Sequence, residues 1–254
     1  MGNFKIHCRD ENEKFIPTRS YQELLRHFSK FKKQHGIILH VVGAPGIGKS
    51  TNIYQASQEI GLKVYEACLI LNSEKMSPKA VFDLTLDFMK KDLGIKTDLA
   101  LYRKLKEFDM VLFADRFHDY HRIDPATVGF SQWTANKGWS AVPYYWYCMK
   151  EFLKQKNEFR YLNIVFQTSW SVHLGGRKRD LFTELGLISR ISLFLLKIPF
   201  QVVEISYSPL ETITIVKSHF HNVDEDRIKK KIALYNCKPR FICEALKTGN
   251  NKYG

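Results

Sequence analysis

The stretch Gly43 to Thr51, GAPGIGKST, combines residue types that have one strong chemical use together. Gly43 and Gly48 bracket four residues, and Lys49, Ser50 and Thr51 follow directly. Glycines let a loop wrap closely around a phosphate with backbone N–H groups, and a helix starting at the lysine adds its N-terminal dipole. In this Gly-x-x-x-x-Gly-Lys-Ser spacing, Gly43, Ala44, Pro45, Gly46, Ile47 and Gly48 form the cradle. Lys49 reaches the terminal phosphates of a nucleotide and Ser50 holds Mg²⁺, with Thr51 next in the same cofactor-binding stretch. A chance glycine turn is the competing reading, and the apolar run before the motif argues against it.

A second stretch supplies the acid that such chemistry requires. Met110 to Arg116 reads MVLFADR, an apolar strand ending in Asp115, which would deliver a carboxylate to the metal alongside Ser50. The next residue is Arg116, whose guanidinium stays charged and cannot accept a proton from water. Asp119 is the nearest alternative acid. A bound nucleotide is therefore expected to turn over slowly.

These residues need a scaffold, and the periodicity supplies one. Ser20–Lys33 shows a helical stripe (Leu24, Leu25, Phe28, Phe31), with Ser20 as N-cap and Glu23 completing a capping box. Gly36–Val42 reads as a buried parallel strand before the loop. Further strands are expected at Lys63–Leu71, Met110–Asp115, Leu162–Trp170 and Gln201–Ser206. Helices are expected at Ser77–Gly94, Pro143–Lys156 and Arg179–Ile191, and the run Ile191–Phe200 reads as a buried strand or helix. Beyond Ser208 the pattern becomes wholly helical: Leu210–His221, Asp224–Tyr235 and Pro239–Lys247. The fold class is α/β, a P-loop nucleotide-binding core with a parallel five-stranded sheet over residues 1–208 and a small helical lid over 209–254.

Composition bounds the rest. The chain has 254 residues, 44% of them hydrophobic and 26% charged, as in ordinary globular proteins. No apolar run approaches the roughly 18 residues of a membrane span. Five scattered cysteines without a CxxC pair suit reduced thiols and a cytoplasmic setting. The net charge of +13 favours a polyanionic partner, with a lysine-rich solvated surface as the bland alternative. The segment His118–Tyr147 interleaves Trp133, Trp139, Tyr144, Tyr145, Trp146 and Tyr147 with Arg122 and Lys137. Such rings stack on unpaired bases, or equally well form a secondary core or subunit interface.

In order and spacing, these segments resemble an AAA+ ATPase, particularly the initiator and origin-recognition type and related signalling ATPases. FIPTRSYQELLRHF resembles the segment that packs on adenine, with Ile16, Pro17 and Arg19 matching its core. IVFQTSW resembles the sensor 1 strand, with Thr168 or Ser169 at its polar tip. LGLISRI puts Arg190 where the family carries an arginine finger for a neighbouring subunit, and YNCKPRFICEAL puts Arg240 at sensor 2. Arg190 also has a simpler reading as a charge at a helix C-terminus, whereas a cation at a helix start is less expected on dipole grounds, which tilts Arg240 towards a phosphate contact. The resemblance implies ATP and Mg²⁺ as cofactors and a homo-oligomer. It also implies assembly on nucleic acid, DNA ahead of RNA, of replication, partitioning or packaging type. A signalling switch without nucleic acid, and a P-loop kinase, remain open alternatives.

Overall fold

A computed structural model describes residues 15–66, 77–114, 142–174, 177–220 and 222–248 of the chain. The elements in the first half are α1 (Arg19–Phe31), β1 (Ile38–Val42), α2 (Lys49–Ile60), β2 (Lys63–Glu66), α3 (Pro78–Asp92), α4 (Asp98–Glu107) and β3 (Met110–Ala114). The second half has α5 (Val142–Lys154), α6 (Lys156–Phe159), β4 (Ile164–Thr168), β5 (Ser171–Leu174) and β6 (Arg177–Asp180). These are followed by α7 (Leu187–Lys197), β7 (Gln201–Glu204), α8 (Pro209–His219), α9 (Glu225–Tyr235) and α10 (Pro239–Thr248).

Five strands form one sheet in the order β2-β3-β4-β1-β7, with every neighbouring pair parallel. The expected α/β class and five-stranded parallel sheet are therefore present. β5 and β6 form a separate antiparallel ribbon beyond the end of β4.

Strand alternation divides the side chains between the two faces of the sheet. Leu39, Val41, Val111, Phe113, Val165, Val203 and Ile205 pack with Tyr21, Leu24, Phe28 and Phe31 of α1 and Ile53 and Ala56 of α2. On the opposite face, Ile164 packs with Leu101 and Leu105 of α4 and Met89 of α3, while Val42 and Val202 meet Phe182 and partly cover Leu193 and Leu196 of α7. The three C-terminal helices carry a core of their own around Ile213, Val216, Ile228 and Ile242.

Local chemistry fixes several boundaries. Ser77 accepts from the Ala80 N–H and is followed by Pro78, so α3 begins where a missing proline N–H does no harm. Ser208 and Glu211 form a complete capping box at α8. The N-cap of α1 is Thr18, whose hydroxyl accepts from the Tyr21 N–H. Ser20, expected in that role, instead donates its hydroxyl to the Ser206 carbonyl at 2.7 Å.

The region after β4 departs furthest from expectation. The predicted helix Arg179–Ile191 begins only at Leu187, because Arg179 and Asp180 belong to β6 and a turn follows. The run Ile191–Phe200 continues that helix to Lys197, on a largely exposed surface. The predicted strand Lys63–Leu71 is described only to Glu66. Among the described residues, no helix is long and apolar enough to cross a membrane.

Candidate functional site

The loop between β1 and α2 is shaped by backbone conformations that side chains disfavour. Gly48, the N-cap of α2, is left-handed at φ +90°. Gly46 has φ +80°, and a Cβ placed there would lie 3.0 Å from the Phe241 ring of α10. A larger residue would therefore both strain the loop and push α10 away. The first turn of α2 holds no acidic residue, so nothing offsets the partial positive charge of its N-terminus towards an anion.

Lys49 is 5% exposed, unusual for a lysine. Its ammonium donates to the Gly43 carbonyl at 2.8 Å and the Ala44 carbonyl at 3.2 Å. It also sits within the electrostatic reach of Asp180, whose carboxyl is completely buried at the end of β6. Burial pushes the Asp180 pKa upwards, while the Thr183 hydroxyl, the Trp170 N–H and the Lys49 charge pull it down. Asp180 accepts from the Trp170 N–H and from the Thr183 hydroxyl, both at 2.8 Å.

Ser50 is anchored from the neighbouring strand: its hydroxyl donates to Gln167 Oε1 at 2.6 Å. The polar group that β4 presents to the loop helix is thus Gln167. Thr168 points to the opposite face, where its Oγ1 shares a 2.9 Å hydrogen bond with His40 Nδ1. Ser169 Oγ is buried without a hydrogen-bond partner. The resemblance to a sensor 1 strand names Thr168 or Ser169 at the polar tip and does not name Gln167. The phase of the alternation, with Val165 packed on the α1–α2 side, was the signal that points to Gln167.

Beyond the loop, Asn52 donates through Nδ2 to the Gly48 carbonyl and to the Tyr207 hydroxyl, both at 2.8 Å. Burial pushes the Tyr207 phenol up to about 12. These contacts lead into a cavity of about 430 Å³ between the loop and the C-terminal helices. Phe15, Ile16, Gly48, Thr51 and Tyr207 line it from the core side, and Arg240, Cys243 and Lys247 from α10. Its size and mixed lining suit a nucleoside with its phosphates directed to the loop.

Ile16 lines the cavity, whereas Pro17 and Arg19 are exposed; the Arg19 N–H donates to Glu211 Oε1 at 3.1 Å. Arg240 lines the cavity, pairs with Glu244 at 3.0 Å and donates its backbone N–H to the Gly46 carbonyl at 3.3 Å. Arg190 is exposed on α7, apart from the cavity lining. Asp115 and Asp119 lie outside the described residues, as do Arg116, His118 and Trp133. β3 is described to Ala114, which pairs in register with Phe166 of β4, one residue before Gln167. Among the described residues, no cluster of three or more His, Cys, Asp or Glu side chains is arranged to hold a metal by itself.

No protein-family model and no curated protein matches the sequence. Among solved structures, the chain is similar to the Walker-type ATPase PABY2304 of Pyrococcus abyssi. That match has a TM-score of 0.50 and 13% identity, over 92% of this chain and 69% of that one. It is also similar to a Signal Transduction ATPase with Numerous Domains (STAND) protein with a tetratricopeptide repeat sensor, PH0952 from Pyrococcus horikoshii. There the TM-score is 0.41 and the identity 14%, over 94% of this chain and 33% of that one. The fold is that of a P-loop ATPase.

Proposed function

We propose that this chain is an ATPase that binds ATP with Mg²⁺ between its phosphate loop and a C-terminal helical lid, residues 209–254, and turns it over slowly. The observation that carries the reading is the joint placement of three parts. A glycine loop leads into an acid-free helix N-terminus, the buried Lys49 sits on the loop, and Ser50 is held by Gln167 from the next strand. A lysine whose Nζ donates to two carbonyls can exchange them for phosphate oxygens. The site residues fit the nucleotide: Gly43–Thr51 take the phosphates, Ile16 and the cavity wall take the base, and Arg240 lies within reach of the phosphate end. Mg²⁺ would be held by Ser50 together with Asp115, and it would neutralise phosphate charge. Arg116 after Asp115 supports slow turnover, because the position next to the metal acid offers no proton acceptor. Asp119 is the residue proposed to supply part of that help.

Two partner readings belong to the proposal. The first is self-association through α7, whose Leu187, Ile191 and Phe194 are each more than half exposed beside Arg190, as is Ile198 just past its end. This supports Arg190 reaching a neighbouring copy's site. The second is contact with nucleic acid, DNA ahead of RNA, which the +13 net charge favours. Retention on single-stranded DNA, duplex DNA or RNA at low salt tests it, and no retention would leave a protein-contact switch.

The central test is Lys49→Ala. Losing a charge-assisted contact to the phosphates should weaken ATP·Mg²⁺ binding by about 100-fold in titration calorimetry, with the fold intact by circular dichroism. Unchanged affinity in the folded variant would overturn the assignment.

A further inference from the structure

The first turn of α10 is fastened to the core at three points. Lys238, immediately before the helix, pairs with Glu184 Oε1 at 2.6 Å, with both side chains only about 15% exposed (14% and 15%). The Arg240 N–H donates to the Gly46 carbonyl at 3.3 Å, and the Phe241 ring lies over Gly46. The carbonyl of Lys238 accepts the helix bond from the Ile242 N–H, so the residue that makes the ion pair is also where the helix starts.

Glu184 is itself fixed. Its second oxygen, Oε2, accepts the Asp180 N–H at 2.7 Å, and its own N–H donates to the Asp180 carbonyl at 2.9 Å. Asp180 is the buried acid that feels the charge of Lys49. An unbroken set of polar contacts therefore runs from Asp180, within the electrostatic reach of Lys49, through Glu184, to the start of α10. From α10, Arg240, Cys243, Glu244 and Lys247 face the cavity at successive helical positions. Holding the first turn fixes how that whole stripe meets the contents of the cavity.

We infer that Glu184 is a positioning residue for the nucleotide site: its ion pair with Lys238 clamps α10 against the phosphate loop and sets how long a nucleotide stays bound. This rests on the ATP-binding reading above. An ion pair at this depth is screened less than a surface pair, so it resists opening without the large desolvation cost of full burial. Glu184 touches none of the cavity, so its effect is on release and not on the phosphate contacts themselves.

The test uses the full chain and a fluorescent ATP analogue, with release followed by stopped flow in Glu184→Gln, Lys238→Met and the double variant. Each single change should speed release about tenfold while leaving the association rate within about twofold. The double variant should release no faster than either single one, because one interaction is being removed. Lys238→Arg should retain slow release. Hydrogen exchange of the peptide spanning 236–244, measured without nucleotide, should speed up in both single variants. Wild-type release rates in folded Glu184→Gln and Lys238→Met, or additive effects in the double variant, would overturn the clamp. If the wild-type chain fails to bind the analogue, the ATP reading falls instead. The exchange measurement then decides the clamp alone, and unchanged protection at 236–244 overturns it.

Discussion

Two helices lie against the β1–β7 end of the sheet, and they spend their apolar surface differently. α1 buries Tyr21, Leu24, Phe28 and Phe31 to 2% exposure or less, over α2 and the sheet. α7 has Ser189 as its buried residue, covers Leu193 and Leu196 only in part, and leaves Leu187, Ile188, Ile191, Phe194 and Leu195, with Ile198 just past its end, between 52% and 71% exposed. The α7 sequence is the more apolar of the two: α1 alternates one apolar stripe with polar residues, and α7 is apolar nearly all round. A single stripe can be satisfied by one neighbour. An all-round apolar helix needs a second surface, which a lone copy of the described residues does not provide.

The largest effect that would test this contrast is on the α1 side. Phe28→Ala should destabilise the chain by about 3–5 kcal/mol, since the ring is fully enclosed and its space cannot refill. Urea denaturation measures it, and a loss below about 1 kcal/mol would mean that α1 is not the closed face described.

A somewhat smaller effect lies on the opposite face, where His40 stacks on Phe166 and bonds Thr168. Burial lowers its pKa from 6.5 to about 4. The unfolded chain takes up a proton below pH 6.5 while the folded chain does not, so this contribution is complete above pH 6.5 and is lost as pH falls towards 4. The cost is up to about 3 kcal/mol. Asp180 and Glu204 are pushed up by burial and act in the other direction, losing stability as pH rises through their folded values. His40→Gln should therefore be judged by difference, as a flatter stability profile between pH 7 and 4.5. An unchanged slope would place water around His40.

The smallest effect on stability, and the sharpest on assembly, is expected at Phe194. Phe194→Ser should shift unfolding by no more than about 0.5 kcal/mol, because the ring is 66% exposed. In sedimentation velocity with ATP the variant should stay monomeric where the wild type associates. A monomeric wild type would remove the second-copy explanation for α7.

Much of the architecture was legible because local chemistry and global packing agree there. Ile38–Val42 is a short β-branched run ending in glycine, and the loop motif follows it, so strand, cradle and helix could be read together. The C-terminal helices begin within a residue of expectation because Ser208 with Glu211, Asp224 and Pro239 mark their starts. α4 passed unread although Thr97 caps it through the Ala100 N–H, since its charged residues dilute the apolar period. The β5–β6 ribbon passed unread, with a helix expected from Arg179, because four-residue strands are too short to display a period. In the site, Lys49 and Ser50 were evident from spacing, whereas Gln167 depended on strand phase. The Glu184–Lys238 pair is a contact between distant segments, and no local pattern encodes it.

The sheet order has a consequence for how the chain comes to fold. β1, which leads into the phosphate loop, is flanked by β4 and β7, with Ile38 beside Ile164 and Leu39 beside Gln201. The Ser50–Gln167 bond closes a separation of 117 residues, and the tie from Arg240 to Gly46 spans more. Such distant pairings cost loop entropy before they return any contact energy, so they form slowly and late. During synthesis, the glycine loop is thus exposed as bare sequence long before its strand neighbours exist. On the proposed ATP-binding reading, a nucleotide that binds only the finished arrangement would draw late-arriving strands and C-terminal helices into place and act as a folding ligand as much as a substrate.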